Sequence, residues 1–254
     1  MNRLPILMFH AINPMRTPVA VDRRTFARSL QRLAARGWRT ISGADALAFA
    51  RGDGKPRPKS FVVTFDDAYA SVFAEAAPVL RELGFGAILF LTTGLMEKSE
   101  IFPGDPLCPR EASMTWNDAR TLAKAGFEIG SHACAHRDLR RVSDAELAQE
   151  MAGSRKELED RVGVPVRLHA YPFGFHDARV ATAARRVYDG AVTTDLDFVR
   201  PGASLFALPR LDAHYLRFLA SRGDLDGPGT RAYLSIRRAG RAVRARLHRG
   251  DEAS

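Results

Sequence analysis

Apolar runs and helix-like patterns alternate along the chain. Short runs rich in Val, Ile, Leu and Phe are typical of strands, and they occupy residues 6–9, 60–65, 85–92, 127–131, 166–171 and 190–194. Between these runs, apolar residues recur at helical spacing, as at Phe26, Leu30 and Leu33 and again over residues 72–83. Strands that are apolar at nearly every position and alternate with helices predict a parallel sheet buried on both faces.

Capping signals mark the ends of the predicted helices. A glycine stands between a helical pattern and the next apolar run at Gly37, Gly84, Gly126, Gly163 and Gly190. Glycine is favoured just past a helix end because it adopts the left-handed conformation at little cost. Two helices begin with a capping-box pattern, at residues 115–118 and 143–146. The segment 97–115, with its three prolines, predicts a long loop.

The number of units and the chain length favour a barrel. We predict an α/β fold with a single (β/α) barrel, distorted or incomplete, of about six to eight strands. The glycine signature of a dinucleotide-binding fold is absent from the 254 residues. We expect one barrel domain over residues 1–220, followed by a basic tail or amphipathic helix over residues 221–254.

The charge of the chain is concentrated in arginine and at the C-terminus. The net charge is +9, and 33 of the 38 basic residues are Arg. Residues 230–249 contain seven arginines and no acid, with Ile236, Gly240, Val243 and Leu247 at helical spacing. Such a helix either docks on the barrel by its apolar stripe or contacts an anionic membrane. Nucleic acid is not an expected partner, because only one aromatic residue, Tyr233, lies among the charges.

The N-terminus and the cysteines do not indicate export. The chain has two cysteines, and its first apolar run is short and interrupted by Pro5 and His10, unlike a signal peptide or a membrane span. We expect a cytoplasmic protein, with peripheral contact at the inner membrane face as the alternative suggested by the arginine-rich C-terminus.

Polar residues follow the predicted strands at the end where barrel enzymes keep their active sites. Asp66 and Asp67 follow residues 60–65, and His132 and His136 follow residues 127–131. Adjacent carboxylates after a buried strand are costly unless a cation compensates them. Two imidazoles on one side of a helical turn, with one carboxylate, are a common ligand set for zinc, iron or cobalt. His10 follows the first strand.

Three motifs together carry a resemblance to a known family. The segments "TFDDAY", "GSHACAH" and "AYPFG", with the lead-in "MTWNDARTLAKAGFEI", resemble the polysaccharide deacetylases, the NodB-homology domains of carbohydrate esterase family 4. The likeness extends from about Pro5 to Arg210. It implies a metal-dependent hydrolase that removes an N-acetyl or N-formyl group from an amino sugar in a polysaccharide, oligosaccharide or lipid-linked glycan.

The resemblance also implies roles for particular residues. Asp67, His132 and His136 would bind the metal, most often zinc, with cobalt, iron or nickel as alternatives. Asp66 would be the general base, and the backbone N–H of Phe173 would stabilise the oxyanion. Residues 1–220 would then form the catalytic domain.

The sequence departs from the family pattern in two places. The family has an arginine two residues before the proline of its third motif, where it holds the base, and this chain has Ala170 there. Arg210, at the end of the last predicted strand, is our candidate to replace it. The family's aspartate-tryptophan motif is not visible, although Asp195 and Asp197 are present.

The general acid has two candidates. The family supplies it from a leucine-x-x-histidine motif near the C-terminus, and this chain matches that motif at residues 7–10 and 211–214. The segment "ILMFHAI" is similar to the circularly permuted poly-N-acetylglucosamine deacetylases, in which the motif lies on the first strand. We favour His10 over His214, because first and last strands are neighbours in a barrel.

Two further functions are compatible with parts of the pattern. A catalytically impaired carbohydrate-binding protein on the same fold would explain the missing arginine. A two-histidine, one-carboxylate iron oxygenase would use the same ligands, but such sites normally lie on antiparallel scaffolds, which the alternation of helices and strands contradicts.

Overall fold

A computed structural model describes residues 2–15, 17–212 and 224–251, with side chains of the last helix described as far as residue 240. The strands are β1 Ile6–Phe9, β2 Arg39–Thr40, β3 Ser60–Asp66, β4 Ile88–Leu91, β5 Glu128–Ser131, β6 Leu168–Ala170, β7 Gly190–Val192 and β8 Leu211–Asp212. All their pairings are parallel. The six apolar runs thus correctly identified β1 and β3 to β7, with ends shifted by a few residues, whereas the two-residue strands β2 and β8 were not among them.

The strands form one curled sheet. Its order is β7-β6-β5-β4-β3-β1-β8, and β2 pairs with the start of β3. The last strand segment contacts both edges of this sheet, because Leu208 bridges Val192 of β7 and Leu211 pairs with Leu7 of β1. Residues 208–212 therefore connect the two edges, and the predicted distorted barrel is confirmed.

Eight α-helices surround this sheet in the described part of the chain. They are α1 Arg23–Ala35, α2 Gly43–Arg51, α3 Ala77–Glu82, α4 Trp116–Lys124, α5 Asp144–Ala148, α6 Ser154–Val162, α7 Ala178–Val187 and α8 Pro228–Asp251. Two π-helical segments extend them: Val72–Ala76 leads into α3, and Gln149–Gly153 joins α5 to α6. Short 3-10 turns follow β4 and β6 at Thr93–Leu95 and Pro172–Gly174, and a third spans Leu139–Arg141.

The predicted helix signals are confirmed, with one exception. Capping boxes begin α4 and α5 as expected. Gly190, however, is not a helix cap: α7 ends at Val187, and Gly190 is the first residue of β7. A Cβ at this position would lie 2.5 Å from Leu47 Cδ2 and 2.9 Å from the Leu205 carbonyl oxygen. The glycine is therefore needed for close packing against α2.

Alternate residues of the strands face two separate hydrophobic clusters. Leu7 and Phe9 of β1 belong to the larger cluster, which lies between sheet and helices, while Ile6 belongs to the smaller one. The smaller cluster also contains Phe49 of α2, and the first residue of that helix, Gly43, lies against the first residues of β4, β5 and β6. Helix α2 thus covers the N-terminal end of the sheet and leaves the opposite end for the polar residues.

The C-terminal segment is helical, and its first turns pack on the barrel. Leu225 and Leu234 are buried in the larger cluster. Ile236, in the predicted apolar stripe, is 71% exposed, so the helix docks through Leu234 and not through Ile236. No helix among the described residues has a stretch that is both long and apolar enough to cross a bilayer.

Candidate active site

The polar residues that follow the strands converge at the C-terminal end of the sheet. They line a cavity of about 320 Å³ whose wall includes His10, Asp66, Asp67, His132, His136 and Phe173. The predicted loop over residues 97–115 closes one side of this cavity with Phe102, Asp105, Leu107 and Cys108. The parallel strands account for this convergence, because all of them deliver their last residues to the same end.

Asp66 and Arg210 form a buried bidentate ion pair. Nη1 and Nη2 of Arg210 donate to Oδ1 and Oδ2 of Asp66, both at 2.7 Å. The guanidinium also donates to the Thr193 carbonyl at 2.9 Å and to the Thr64 hydroxyl at 3.1 Å. Burial alone would raise the pKa of Asp66, but the Arg210 guanidinium, together with the nearby imidazoles of His132 and His10, outweighs it and holds this pKa below its usual value. Asp66 is therefore ionised and fixed in orientation.

Arg210 pairs with Asp66 from a different part of the chain than the third motif. The family's arginine position carries Ala170, which is completely buried at the end of β6. Arg210 is also fully buried, and its backbone N–H donates to the Asp195 carbonyl at 2.9 Å. The arginine thus reaches Asp66 from the segment that connects the two sheet edges, where it directly precedes β8 and does not end a strand as predicted.

Asp67 turns away from Asp66 toward the two histidines. Its φ angle is +75°, a left-handed conformation that reverses the chain directly after β3. Oδ1 of Asp67 lies 3.3 Å from Nε2 of His132 and 3.3 Å from Nε2 of His136. Nδ1 of His132 lies 2.7 Å from the Ala170 carbonyl oxygen. Since a carbonyl only accepts, Nδ1 carries the proton in the neutral ring and Nε2 presents its lone pair.

The two histidines do not lie on a helical turn, and that part of the prediction is wrong. Residues 132–138 form an irregular loop. Ala133 and His136 have φ angles of +64° and +47°, and these left-handed residues bend the loop so that both rings face Asp67. The centroids of the rings of His132 and His136 are 5.0 Å apart. The i, i+4 spacing therefore correctly indicated that the two rings lie close together. Their proximity comes from the bent loop and not from a helical turn.

One carboxylate shared by two imidazoles gives them opposite pKa shifts. Burial alone would lower the pKa of His132, but the carboxylates of Asp67 and Asp66 outweigh it and raise this pKa. Burial lowers the pKa of His136 to about 4, and Asp67 offsets this only in part. The pKa of Asp67 is held below its usual value, because its two imidazole neighbours outweigh the effect of burial. His132 therefore takes a proton first.

These three side chains fit a divalent metal ion. Their ligand atoms all lie within 4.8 Å of one another. Oδ1 of Asp67 is buried and accepts no hydrogen bond from the described residues, a costly state for a carboxylate oxygen unless a cation binds it. Two imidazole nitrogens and one carboxylate oxygen are a usual donor set for zinc and related metals. Cys134 is not part of the group, since its thiol donates to the Gln149 carbonyl at 3.4 Å.

Phe173 presents a free backbone N–H beside the cavity. Its φ and ψ are +59° and 0°, and its N–H forms no hydrogen bond to any described residue. The preceding Pro172 has no N–H, and the following Gly174 has φ +75°. A Cβ on Gly174 would lie 2.2 Å from Oγ1 of Thr194, which donates to the Phe173 carbonyl at 3.1 Å. The turn after β6 thus depends on glycine to present the Phe173 amide.

His10 lines the same cavity as Asp66 and His136. It follows β1 directly and is partly exposed. Its competitor His214 lies outside the described residues. The loop after His10 is held by hydrogen bonds that the sequence did not suggest: the Ile12 N–H donates to the Ser71 hydroxyl at 2.9 Å, and Glu111 accepts from Asn13 and from the Ser71 N–H.

The chain is similar to several known proteins. The family model described as polysaccharide deacetylase matches residues 53–188. Bacillus subtilis YxkH is 27% identical over 213 residues, which is 82% of this chain and 71% of that protein. The poly-beta-1,6-N-acetyl-D-glucosamine N-deacetylase of Escherichia coli K12 is 32% identical over 101 residues, 38% of this chain but only 15% of that protein.

Solved structures have the same architecture. The Streptococcus pyogenes deacetylase PplD, in complex with acetate, has a TM-score of 0.72 and 25% identity, covering 83% of this chain and 92% of PplD. IcaB from Ammonifex degensii has a TM-score of 0.75 at 22% identity, covering 88% of this chain and 97% of IcaB; at that identity the likeness shows the fold alone. Because the family model matches more than half of its length, the chain belongs to the polysaccharide deacetylases, a family of hydrolases that act on carbon–nitrogen bonds.

Proposed function

We propose that the protein is a metal-dependent deacetylase that hydrolyses the N-acetyl group of an amino sugar within a glycan. The observation that carries this proposal is the pairing of Asp66 with Arg210 next to the Asp67, His132 and His136 group in one cavity. An ionised carboxylate lies beside a set of metal donors, and the two are held by different partners. This arrangement suits a base and a metal site that act on one water molecule.

Different residues of the chain would bind the metal, accept the proton of that water and orient the base. A divalent metal, in our proposal zinc, would supply a Lewis acid that acidifies the water and polarises the acetamide carbonyl. Asp67, His132 and His136 would hold it. Asp66, which is not needed as a ligand, would accept the proton of the water as it attacks the carbonyl carbon, and Arg210 would keep the Asp66 carboxylate oriented toward the cavity.

After the attack, the oxyanion needs a hydrogen-bond donor, and the departing amine needs an acid. The free N–H of Phe173 would donate to the oxyanion that develops on the former carbonyl oxygen. Expulsion of the sugar amine requires a proton on its nitrogen, and we assign this donation to His10, which faces the cavity from the first strand. The amine then leaves, and the acetyl group is released as acetate.

The substrate class is inferred from the cavity and from a relative. The cavity is open to solvent at Phe173, which is 50% exposed, so a sugar within a longer chain can reach the catalytic groups. The Escherichia coli relative is a poly-beta-1,6-N-acetyl-D-glucosamine N-deacetylase by name, although this chain spans a small part of its length. We propose an N-acetylated amino-sugar glycan, soluble or lipid-linked.

An acetate-release screen tests this proposal. The protein loaded with Zn²⁺ or Co²⁺ is incubated with N-acetylglucosamine, its oligomers of increasing length, and lipid-linked N-acetyl amino sugars, and acetate and free amine are measured together. We expect equimolar release from at least one glycan. Binding of oligomers without any release would instead support the catalytically impaired carbohydrate-binding protein.

We further propose that helix α8 brings the enzyme to the cytoplasmic face of a membrane. The support is the exposure of Ile236 on a helix whose sequence contains seven arginines, an arrangement suited to anionic lipid. A lipid-linked glycan would be the natural substrate at that surface.

A further inference from the structure

Glu150 is a buried carboxylate close to the metal-ligand loop, defined here as residues 132–136. It lies in the π-helical segment Gln149–Gly153 and is 5% exposed. No Lys, Arg or His among the described residues forms an ion pair with it. A buried carboxylate without a cation is retained at a cost unless it accepts several hydrogen bonds. Its partners therefore indicate what it does.

Both hydrogen bonds of the Glu150 carboxylate go to the backbone of the metal-ligand loop. Oε2 accepts from the Cys134 N–H at 2.7 Å and from the Ala135 N–H at 3.0 Å. These two residues lie midway between His132 and His136. Since a loop of irregular conformation satisfies few of its own N–H groups, the carboxylate replaces the bonds that the expected helical turn would have made.

The same stretch of loop is held from the opposite side by the turn after β4. The Gly94 N–H donates to the Cys134 carbonyl at 2.8 Å, and the Thr93 N–H donates to the Ala133 carbonyl at 3.2 Å. A Cβ on Gly94 would lie 2.5 Å from the Cys134 oxygen. The turn after β4 thus fixes two carbonyls of the loop, and Glu150 fixes two of the loop's N–H groups.

We infer that Glu150 is a positioning residue for the metal site: it holds the metal-ligand loop in the left-handed conformation in which both imidazoles face Asp67. This inference rests on the proposed metal-dependent function. Glu150 touches neither the metal nor the substrate, and it acts through the backbone. Outer partners of metal ligands typically contribute 10- to 100-fold to metal affinity, and we assign Glu150 an effect of that size.

Three substitutions separate the hydrogen-bond role from the charge. Glu150→Gln keeps an oxygen that can accept from both N–H groups. Glu150→Asp keeps the charge but is one methylene shorter, and Glu150→Leu has no acceptor. The control is Glu128→Leu, which removes a carboxylate that accepts from the Gly43 N–H at 2.8 Å, at the other end of the barrel.

The measurement is Co²⁺ affinity by competition with a chelator, together with the visible absorption of bound Co²⁺. We expect Glu150→Leu to weaken binding about 10- to 100-fold and to alter the spectrum, with Glu150→Asp weakened in the same direction. Glu150→Gln is expected to keep the wild-type spectrum and an affinity within about threefold, and Glu128→Leu to keep both. If Glu150→Leu does not fold, the test is whether Glu150→Gln binds Co²⁺ more tightly than Glu150→Asp.

Two results would overturn the inference in distinguishable ways. Wild-type affinity and spectrum in Glu150→Leu, or in Glu150→Asp if only that variant folds, contradict the role of Glu150 and leave the proposed function intact. Failure of the wild-type protein to bind Co²⁺, or binding that survives Asp67→Ala, contradicts the metal site itself and with it the inference.

Discussion

Two adjacent residues of the same type have different environments in this protein. Asp66 ends β3 inside the barrel and is paired with Arg210 through both oxygens. Asp67 begins the next turn in a left-handed conformation and faces His132 and His136. Backbone geometry therefore separates a proposed base from a proposed metal ligand, although both carboxylates are buried and both have lowered pKa values.

Removal of Arg210 is expected to change both stability and pH dependence. Arg210→Met leaves Asp66 buried without its cation, at a cost of about 3–5 kcal/mol in the free energy of unfolding. Burial then raises the pKa of Asp66 above its reference value of 3.8 instead of leaving it below, so activity is lost at higher pH as the solution is acidified. Urea unfolding at pH 7 and the pH profile of kcat/KM measure the two effects.

The control for Arg210 is an exposed ion pair. Arg238→Met breaks a contact with Asp197 whose partners are about half and one-third exposed, and should cost less than about 1 kcal/mol. An unchanged acid limb of the pH profile in Arg210→Met would show that Arg210 does not control Asp66.

The proposed acid is tested by comparing two histidines. His10→Ala should lower kcat by about 10²- to 10⁴-fold while metal content is unchanged, because it removes the proton donor and no ligand. His214→Ala should change kcat little. The opposite order of the two effects would assign the acid to the C-terminal motif instead.

At the scale of elements, the turn after β6 depends on a glycine for two reasons. Gly174→Ala requires a Cβ both at φ +75° and 2.2 Å from Oγ1 of Thr194, so the turn and the Phe173 N–H must shift. We expect lower kcat with KM little changed, since the N–H acts on the developing oxyanion.

Gly163→Ala is the matched control for that turn. Gly163 has a similar φ of +82°, but a Cβ there meets nothing within 4 Å. It should cost about 1–2 kcal/mol of stability through the left-handed conformation alone and leave kcat unchanged. Equal kcat values in the two variants would contradict the role given to the Phe173 amide.

Helices and strands were predictable from the sequence where neighbouring residues alone determine them. The strands β1 and β3 and the capped helices α4 and α5 follow from apolar runs and local hydrogen bonds, which neighbouring residues specify. The loop conformation at Ala133 and His136 was not predictable, because it depends on Glu150 and Gly94 from distant elements. Gly190 was misassigned for the same reason: its contacts with Leu47 and Leu205 are tertiary.

The candidate site was predictable to the level of residue identity but not of geometry. The motifs identified Asp66, Asp67 and His132, and the predicted position of Arg210 at a strand end made it a candidate for the missing arginine. Its bidentate pairing needs the curled sheet, which brings residues 144 positions apart in sequence into contact. Only the fold could show that contact.

At the scale of the whole molecule, helix α8 can be tested without disturbing the barrel. A chain ending at Gly240 keeps the buried Leu234 and lacks four of the seven arginines of residues 230–249. We expect the full chain to sediment with anionic phosphatidylserine vesicles several-fold more than the shortened chain, since each arginine near the surface contributes about 1 kcal/mol. Equal sedimentation of the two chains with anionic vesicles would contradict membrane contact through the helix. Binding of the full chain to neutral phosphatidylcholine vesicles as strong as to the anionic ones would contradict it as well.

The whole assembly of sheet, loops and buried charges is proposed to serve one reaction, and Asp66 tests it most directly. Acetate release from N-acetylglucosamine oligomers is measured for the Zn²⁺-loaded wild type and Asp66→Asn, with metal content and circular dichroism recorded on the same samples. We expect release by the wild type, and a loss of about 10²- to 10⁴-fold in Asp66→Asn with metal content and fold retained. Undiminished release by folded, metal-loaded Asp66→Asn would contradict the assignment of Asp66 as the base.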